Sequence, residues 1–316
     1  MLKTITITEC ADFLRAHDDY LVLTHRRPDG DAVGSGGGLV RILKKLGKTA
    51  YLFRNPEITD KYMEFADGLF APDGYAYKTV VSVDCASVQQ LCEGAGVFAE
   101  SIDLSIDHHA SNTQYAKTLC YEDRAACGEI VYGIAAELGT EIDKDTADAL
   151  YTAVSTDTGC FGYGNVTANS FFVASRLAEA GADIKTLNKV LFKTKTRSRA
   201  SLDGYLYSTM NYYYDGRVAV AKIGLDVREK LGLTEDDMDS IAALPAEVEG
   251  VLAGVTIKEQ KGGAKISLRT DGTVNSSDVC AAFGGGGHLQ AAGCTIDGTM
   301  EEAEAALVRE IGKVLS

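Results

Sequence analysis

The sequence predicts an α/β protein of two domains: an N-terminal domain on a mainly parallel sheet flanked by helices, then a smaller C-terminal α/β domain with a mixed sheet. Three observations point that way. In the first half, short apolar runs alternate with stretches of helical periodicity, the pattern of repeated strand–helix–strand units. Near Leu187 that pattern gives way to a basic run, after which paired strand-like runs precede helices. At 316 residues the chain also exceeds the usual size of one core. We place the domains at residues 1–188 and 207–316, with a connector over 189–206.

Each element follows from local pattern. Tyr20-Leu21-Val22-Leu23-Thr24 reads as a buried strand and residues 35–46 as the helix after it. Strand-like runs recur at residues 49–53, 79–83 and 102–106, with helices expected at 128–138 and 144–155. Helices should cover both faces of the resulting sheet. Lys189, Lys193, Lys195, Arg197 and Arg199 form the basic run, read as a connector or as a solvated helix face. Beyond it, residues 210–214 and 218–223 flank an Asp215-Gly216 turn, and 251–258 and 265–269 flank Gly262-Gly263. Both are hairpin signals. Helices are expected at 275–283 and 300–315.

Composition narrows the function. The net charge of −14 argues against duplex DNA and membrane surfaces as partners, because both need a basic footprint. A short anionic substrate remains compatible if bound metals and local cations supply the positive field. Apolar runs are too short to span a bilayer, and the N-terminus lacks the apolar core of a signal peptide. Eight cysteines without a CxxC pair suit a reduced, cytoplasmic chain that uses Cys as a small apolar residue.

The histidines mark the chemistry. Of five, only His17 stands apart from an acidic motif or a glycine loop. His25, Asp29 and Asp31 share one loop after the first strand, where Pro28 and Gly30 allow a sharp turn. Asp84 ends the next very apolar strand, as a cap or as a ligand. Asp107, His108 and His109 end another, and Asp157 follows a helix. Four segments presenting acid or imidazole at the carboxyl edge of one sheet form a donor set for borderline divalent metals. The four carboxylates of Asp29, Asp31, Asp84 and Asp157 balance two divalent cations, with His25 and His108 neutral. Without metal they would repel one another in a partly desolvated cleft.

In the second domain, Gly284-Gly285-Gly286-Gly287-His288 follows an apolar helical pattern and leads into Ala291-Ala292-Gly293. Small residues on both sides imply close backbone packing, and glycine lets amides approach a phosphate or nucleotide. Upstream, Arg269 in Ser267-Leu268-Arg269 offers a bidentate fork for phosphate.

Together these motifs resemble the DHH phosphoesterases, a family named for the Asp-His-His seen here at Asp107, His108 and His109. His25-x-x-Pro28-Asp29-x-Asp31-x-x-Gly34-Ser35 resembles the family's first motif, Asp84 its second and Asp157-Thr158-Gly159 its fourth. Ser267-Leu268-Arg269, Gly285-Gly286-Gly287-His288 and Ala291-Ala292-Gly293 resemble the DHH-associated C-terminal domain. The resemblance implies that His25, Asp29 and Asp84 hold one metal and that Asp31, Asp84, His108 and Asp157 hold the other. It implies a phosphoesterase acting by two-metal hydroxide attack, with Mn²⁺ the expected ion. His109 would then donate to a phosphate oxygen or the leaving group. Asp107 would orient a neighbouring histidine or only cap its strand. Arg269, Gly285, Gly286, Gly287 and His288 would bind substrate.

The subgroup most similar acts on very short oligoribonucleotides and 3′-phosphoadenosine 5′-phosphate (pAp), so short single-stranded RNA and nucleotides are the expected partners. A cyclic di-AMP or pApA phosphodiesterase and a non-catalytic nucleotide-binding protein are the alternatives, and a homodimer is left open. Two departures stand out. Ala125-Ala126-Cys127-Gly128-Glu129 lacks the Ser or Thr common before Gly-Glu, and Gly162 and Gly164 leave the segment after Asp157 lean.

Overall fold

A computed structural model describes residues 3–238 and 240–315. The chain divides into two compact units, Met1–Thr194 and Lys195–Ser316.

The first unit carries β1 (Lys3–Ile5), α1 (Ile7–Ala16), β2 (Tyr20–Leu23), α2 (Gly30–Lys45), β3 (Ala50–Leu52) and α3 (Asp60–Met63). It continues with β4 (Thr79–Val83), β5 (Leu104–Asp107), β6 (Thr118–Tyr121), α4 (Cys127–Leu138), α5 (Lys144–Asp157), α6 (Ala168–Glu179) and α7 (Ile184–Asn188). The six strands pair entirely in parallel in the order β1-β6-β5-β4-β2-β3. Strand order reverses between β2 and β4, so the crevice at their carboxyl ends is a topological switch point. Burial on both faces explains why these strands read as continuous apolar runs: every residue of β2 and β4 is buried.

The two faces are covered differently. Helices α1, α2, α4, α5 and α6 pack one face through Leu14, Leu39, Ile130, Leu150 and Leu177. The opposite face is closed by single-turn helices and loops that contribute Leu91, Ala95, Phe98 and Ala116. The helices on that face are single turns, Val88–Gln90 and Ala95–Phe98.

Helix α2 begins at Gly30, five residues before the position its periodicity suggested. Its glycines depress intrinsic helicity, but packing decides. Gly30, Gly34 and Gly38 line the stripe that meets α5, where an added Cβ would lie 2.5 Å from Thr156, 2.3 Å from the Ala149 carbonyl and 2.6 Å from Leu150 respectively. The order of those contacts makes the helices antiparallel, so the start of α2 lies beside the end of α5.

The second unit comprises α8 (Arg197–Thr209), β7 (Asn211–Tyr213), β8 (Val218–Ile223), α9 (Leu225–Leu231), β9 (Ala253–Gln260) and β10 (Gly263–Thr270). It closes with α10 (Ser276–Ala281), β11 (Gly286–Gly287), β12 (Ala291–Asp297) and α11 (Met300–Leu315). The mixed sheet runs β11-β12-β10-β9-β8-β7, with β8 and β9 parallel and the rest antiparallel. Part of the basic run belongs here: Leu202 and Leu206 of α8 are buried, while Lys195 and Arg199 hold Asp203 at 2.6 and 2.7 Å.

Candidate metal centre

The parallel register brings the carboxyl ends of β2, β4 and β5 to one edge of the first unit. His25 leaves β2, Asp84 follows β4, and Asp107, His108 and His109 end β5. Asp29 caps α2 by accepting from the Asp31 and Ala32 amides, both at 3.0 Å, and Asp31 sits in the first helical turn. That corrects the loop placement of Asp31. Asp157 is the last residue of α5, not a residue beyond it, and the α2–α5 contact carries it to the same edge.

The donors converge. His25 Nε2 lies 3.9 Å from Asp29 Oδ1 and 3.6 Å from Asp84 Oδ2. His108 Nε2 lies 3.3 Å from Asp84 Oδ1, 3.6 Å from Asp157 Oδ2 and 3.7 Å from Asp31 Oδ2. Two groups, His25-Asp29-Asp84 and Asp31-His108-Asp157, each place their ligand atoms within 4.8 Å of one another. A third such group joins His109 to Asp84 and His108.

Partners on the far side fix the rings. His25 Nδ1 meets the Arg26 carbonyl at 2.8 Å and His108 Nδ1 the Arg124 carbonyl at 3.0 Å, so each turns Nε2 to the acids. A ring N–H on a carbonyl with the other nitrogen lone pair aimed at carboxylates is how metal-binding imidazoles are oriented. His109 differs. Its Nδ1 meets Asp107 Oδ1 at 2.8 Å, and the same carboxyl accepts the His108 amide at 2.9 Å. Asp107 therefore holds His109 directly.

Electrostatics show what the cluster lacks. Burial works against protonation of His25 and His108, yet the facing carboxylates outweigh it and push both up to about 11. Burial and neighbouring acids raise Asp157 to about 7 and raise Asp31 strongly. Asp84 goes the other way: burial is outweighed by His108 and His25, and its carboxyl falls below the usual range. Protons here do a cation's work. Asp84 Oδ1 is buried with His108 Nε2 at 3.3 Å but no donor in good hydrogen-bond geometry, a costly state for a carboxylate unless a cation faces it. Asp84 also holds a left-handed φ of 54° with its amide tied to the Ile106 carbonyl at 3.0 Å. Such strain in a non-glycine residue is retained where the surroundings over-determine it, as at functional sites. The donor set and this orphaned oxygen fit divalent ions.

The second unit forms its glycine segment from close contact. A Cβ on Gly285 would lie 2.4 Å from that of Cys294, and one on Gly287 2.5 Å from the Ala291 carbonyl. The Gly284 and Gly285 amides cap α10 through the Ala281 and Cys280 carbonyls at 3.0 and 2.9 Å. Those two amides are engaged, and Gly286 and Gly287 form β11 against Gly293 and Ala292 of β12, exposed at the sheet edge with the His288 side chain beside them. Arg269 pairs in register with Ala291, and the His288 amide donates to the Ala291 carbonyl at 2.8 Å, so Arg269 and His288 flank one residue of β12.

Residues 19–154 match the DHH family's N-terminal domain, and residues 215–316 match the DHHA1 domain. A bifunctional oligoribonuclease and PAP phosphatase NrnA from Thermus thermophilus is 32% identical, over 88% of this chain and 84% of that protein. The chain belongs to the DHH family. A cyclic-di-AMP phosphodiesterase, PdeA from Listeria monocytogenes, is 26% identical over 95% of this chain but only 48% of its own length. Among solved structures, an exopolyphosphatase-related protein from Bacteroides fragilis superposes with a TM-score of 0.88 at 25% identity, covering 98% of this chain and 96% of that one.

Some of the DHH centre lay beyond the sequence reading. Asp31 is gripped by the start of α4: Cys127 donates its amide to Oδ2 at 2.6 Å and Gly128 to Oδ1 at 3.0 Å, joined by Ser35 Oγ at 2.8 Å. Backbone donors do this work, so Cys127 in place of Ser or Thr leaves the contact intact. Free amides at a helix start opposite a buried acid were the available signal. No helix among the described residues is long and apolar enough to cross a membrane.

Proposed function

We propose that the protein is a metal-dependent phosphoesterase that hydrolyses short oligoribonucleotides and pAp. The observation that carries it is the two His–Asp donor groups, linked by the 3.3 Å approach of His108 Nε2 to Asp84 Oδ1, on a chain related over most of its length to an oligoribonuclease and PAP phosphatase. His25, Asp29 and Asp84 would hold one ion, and Asp31, Asp84, His108 and Asp157 the other, with Asp84 shared. Bound there, two divalent ions, Mn²⁺ before Mg²⁺ because imidazole favours the softer ion, supply positive charge to the phosphoryl group and activate water.

The chain's own groups supply the rest. Asp107 holds His109 through Nδ1 and raises its pKa, leaving Nε2 to donate a proton to a phosphate oxygen or the leaving group. Arg269, His288 and the outer glycines would grip a second phosphate, and that remote binding energy holds the scissile phosphorus in place. The relative that hydrolyses cyclic di-AMP supports the same chemistry on another substrate, though this chain spans under half of it. Turnover of pAp, a dinucleotide, pApA and cyclic di-AMP with Mn²⁺ tests the proposal. Faster cleavage of pAp and the dinucleotide supports it, and a clear preference for cyclic di-AMP replaces it with the alternative.

A further inference from the structure

Strand β10 presents Lys265, Ser267 and Arg269 to one side while Ile266 and Leu268 are fully buried on the other. Register places Lys265 between Lys258 of β9 and Thr295 of β12. Like charges directly opposite on neighbouring strands repel, an arrangement that persists where something else benefits from it. Lys258 is turned to the Met238 carbonyl at 3.3 Å. Lys265 is exposed, and among the described residues its ammonium has no partner. The chain is strongly acidic, and Lys222, Arg228 and Lys313 of the same unit each hold a glutamate. Lys265, like Lys261 of the adjoining turn, holds none among the described residues.

A cavity of about 500 Å³ lies at this end of the strand, lined by Lys265, Thr295, Phe283 and the glycines 284–286. Its glycine wall offers no side chain to obstruct a ligand backbone. Four residues of strand separate Lys265 from Arg269, about 13 Å at the usual rise. Side chains stand roughly perpendicular to a sheet, so the two cations are presented as separate points along the strand.

We propose that Lys265, with Thr295, forms a second phosphate subsite that engages an additional phosphate of a longer oligonucleotide and so reads substrate length. The inference rests on the phosphoesterase reading above. Arg269 serves the phosphate that pAp possesses, whereas Lys265 serves one that pAp lacks.

The test compares pAp with a 5′-phosphorylated trinucleotide on the full-length, metal-loaded protein. Lys265→Ala should raise KM for the trinucleotide roughly ten-fold, as expected for loss of a charged hydrogen bond. Its kcat, its KM for pAp and its melting temperature should hold within two-fold and about a degree. Lys261→Ala, which removes a neighbouring charge at the β9–β10 turn, should change neither substrate. Equal losses on both substrates, no loss on either, or the same effect from Lys261→Ala would overturn the subsite. If the wild-type protein turns over neither substrate, the phosphoesterase reading fails separately. Equilibrium binding of the same two ligands to wild type and Lys265→Ala then decides: a selective trinucleotide loss supports the subsite, and no difference overturns it.

Discussion

Replacing Gly34 by Ala adds one methyl group where α2 crosses α5. Its Cβ would stand 2.3 Å from the Ala149 carbonyl and 3.0 Å from the Ala153 amide nitrogen, against 3.4 Å for ordinary contact. The obstacle is helix backbone, so relief requires the helices to part by about 1 Å. Overpacking of this kind costs about 1–3 kcal/mol. The gain in helix propensity from Gly to Ala offsets up to about 1 kcal/mol of it. A net loss near 1–2 kcal/mol corresponds to about 2–8 °C in a domain of this size. The same shift moves Asp31 on α2 away from Asp157 on α5, although both must reach the space in front of His108 Nε2. Metal ligands tolerate about 0.2 Å, so affinity at that position should fall at least ten-fold. Calorimetric melting with and without Mn²⁺, and titration of the ion, read both effects. Gly204 of α8 is the control, because a Cβ there meets nothing within 4 Å and Ala should leave stability unchanged or raise it slightly. A Gly34→Ala protein as stable as wild type, with unchanged metal affinity, would refute the packing argument.

Other outcomes follow from the site. Chelation should abolish activity and Mn²⁺ restore it better than Mg²⁺; full activity in a verified metal-free sample would end the two-metal reading. His109→Asn should keep metal content while lowering kcat by about two to four orders of magnitude, and loss of an ion would instead make His109 a ligand. Arg269→Ala and His288→Ala should cripple cleavage of pAp but spare a small activated phosphodiester. Equal losses on the two substrates would move these residues into the chemical step or into folding.

The sequence showed the central strands and every acid and imidazole now seen together, because each sits at a strand end or in a turn with its own local signature. The start of α2 was hidden, since a helix with Gly at 30, 34, 36, 37 and 38 has poor propensity until α5 is beside it. The Gly30-x₃-Gly34-x₃-Gly38 spacing was the legible trace of that contact. The strands β1 and β6 were not read, because Lys3-Thr4-Ile5 and Thr118-Leu119-Cys120-Tyr121 lack the long apolar run that marked β2 and β4. The grip of Cys127 and Gly128 on Asp31 is made by backbone, which side-chain chemistry cannot announce. The engagement of the Gly284 and Gly285 amides in capping α10 was likewise invisible without the fold.

The central claim is that two ions share Asp84, and the direct measurement is metal content per chain in Asp84→Asn after exhaustive dialysis against limiting Mn²⁺. Asn keeps the shape and the left-handed backbone, which it tolerates well, while removing the charge that faces both His25 and His108. Asp29→Asn, which touches only the His25 group, is the comparison. Wild type should hold two ions, Asp29→Asn about one, and Asp84→Asn neither tightly. Two tightly held ions in Asp84→Asn would contradict the shared centre and leave Asp84 as no more than the cap of its strand.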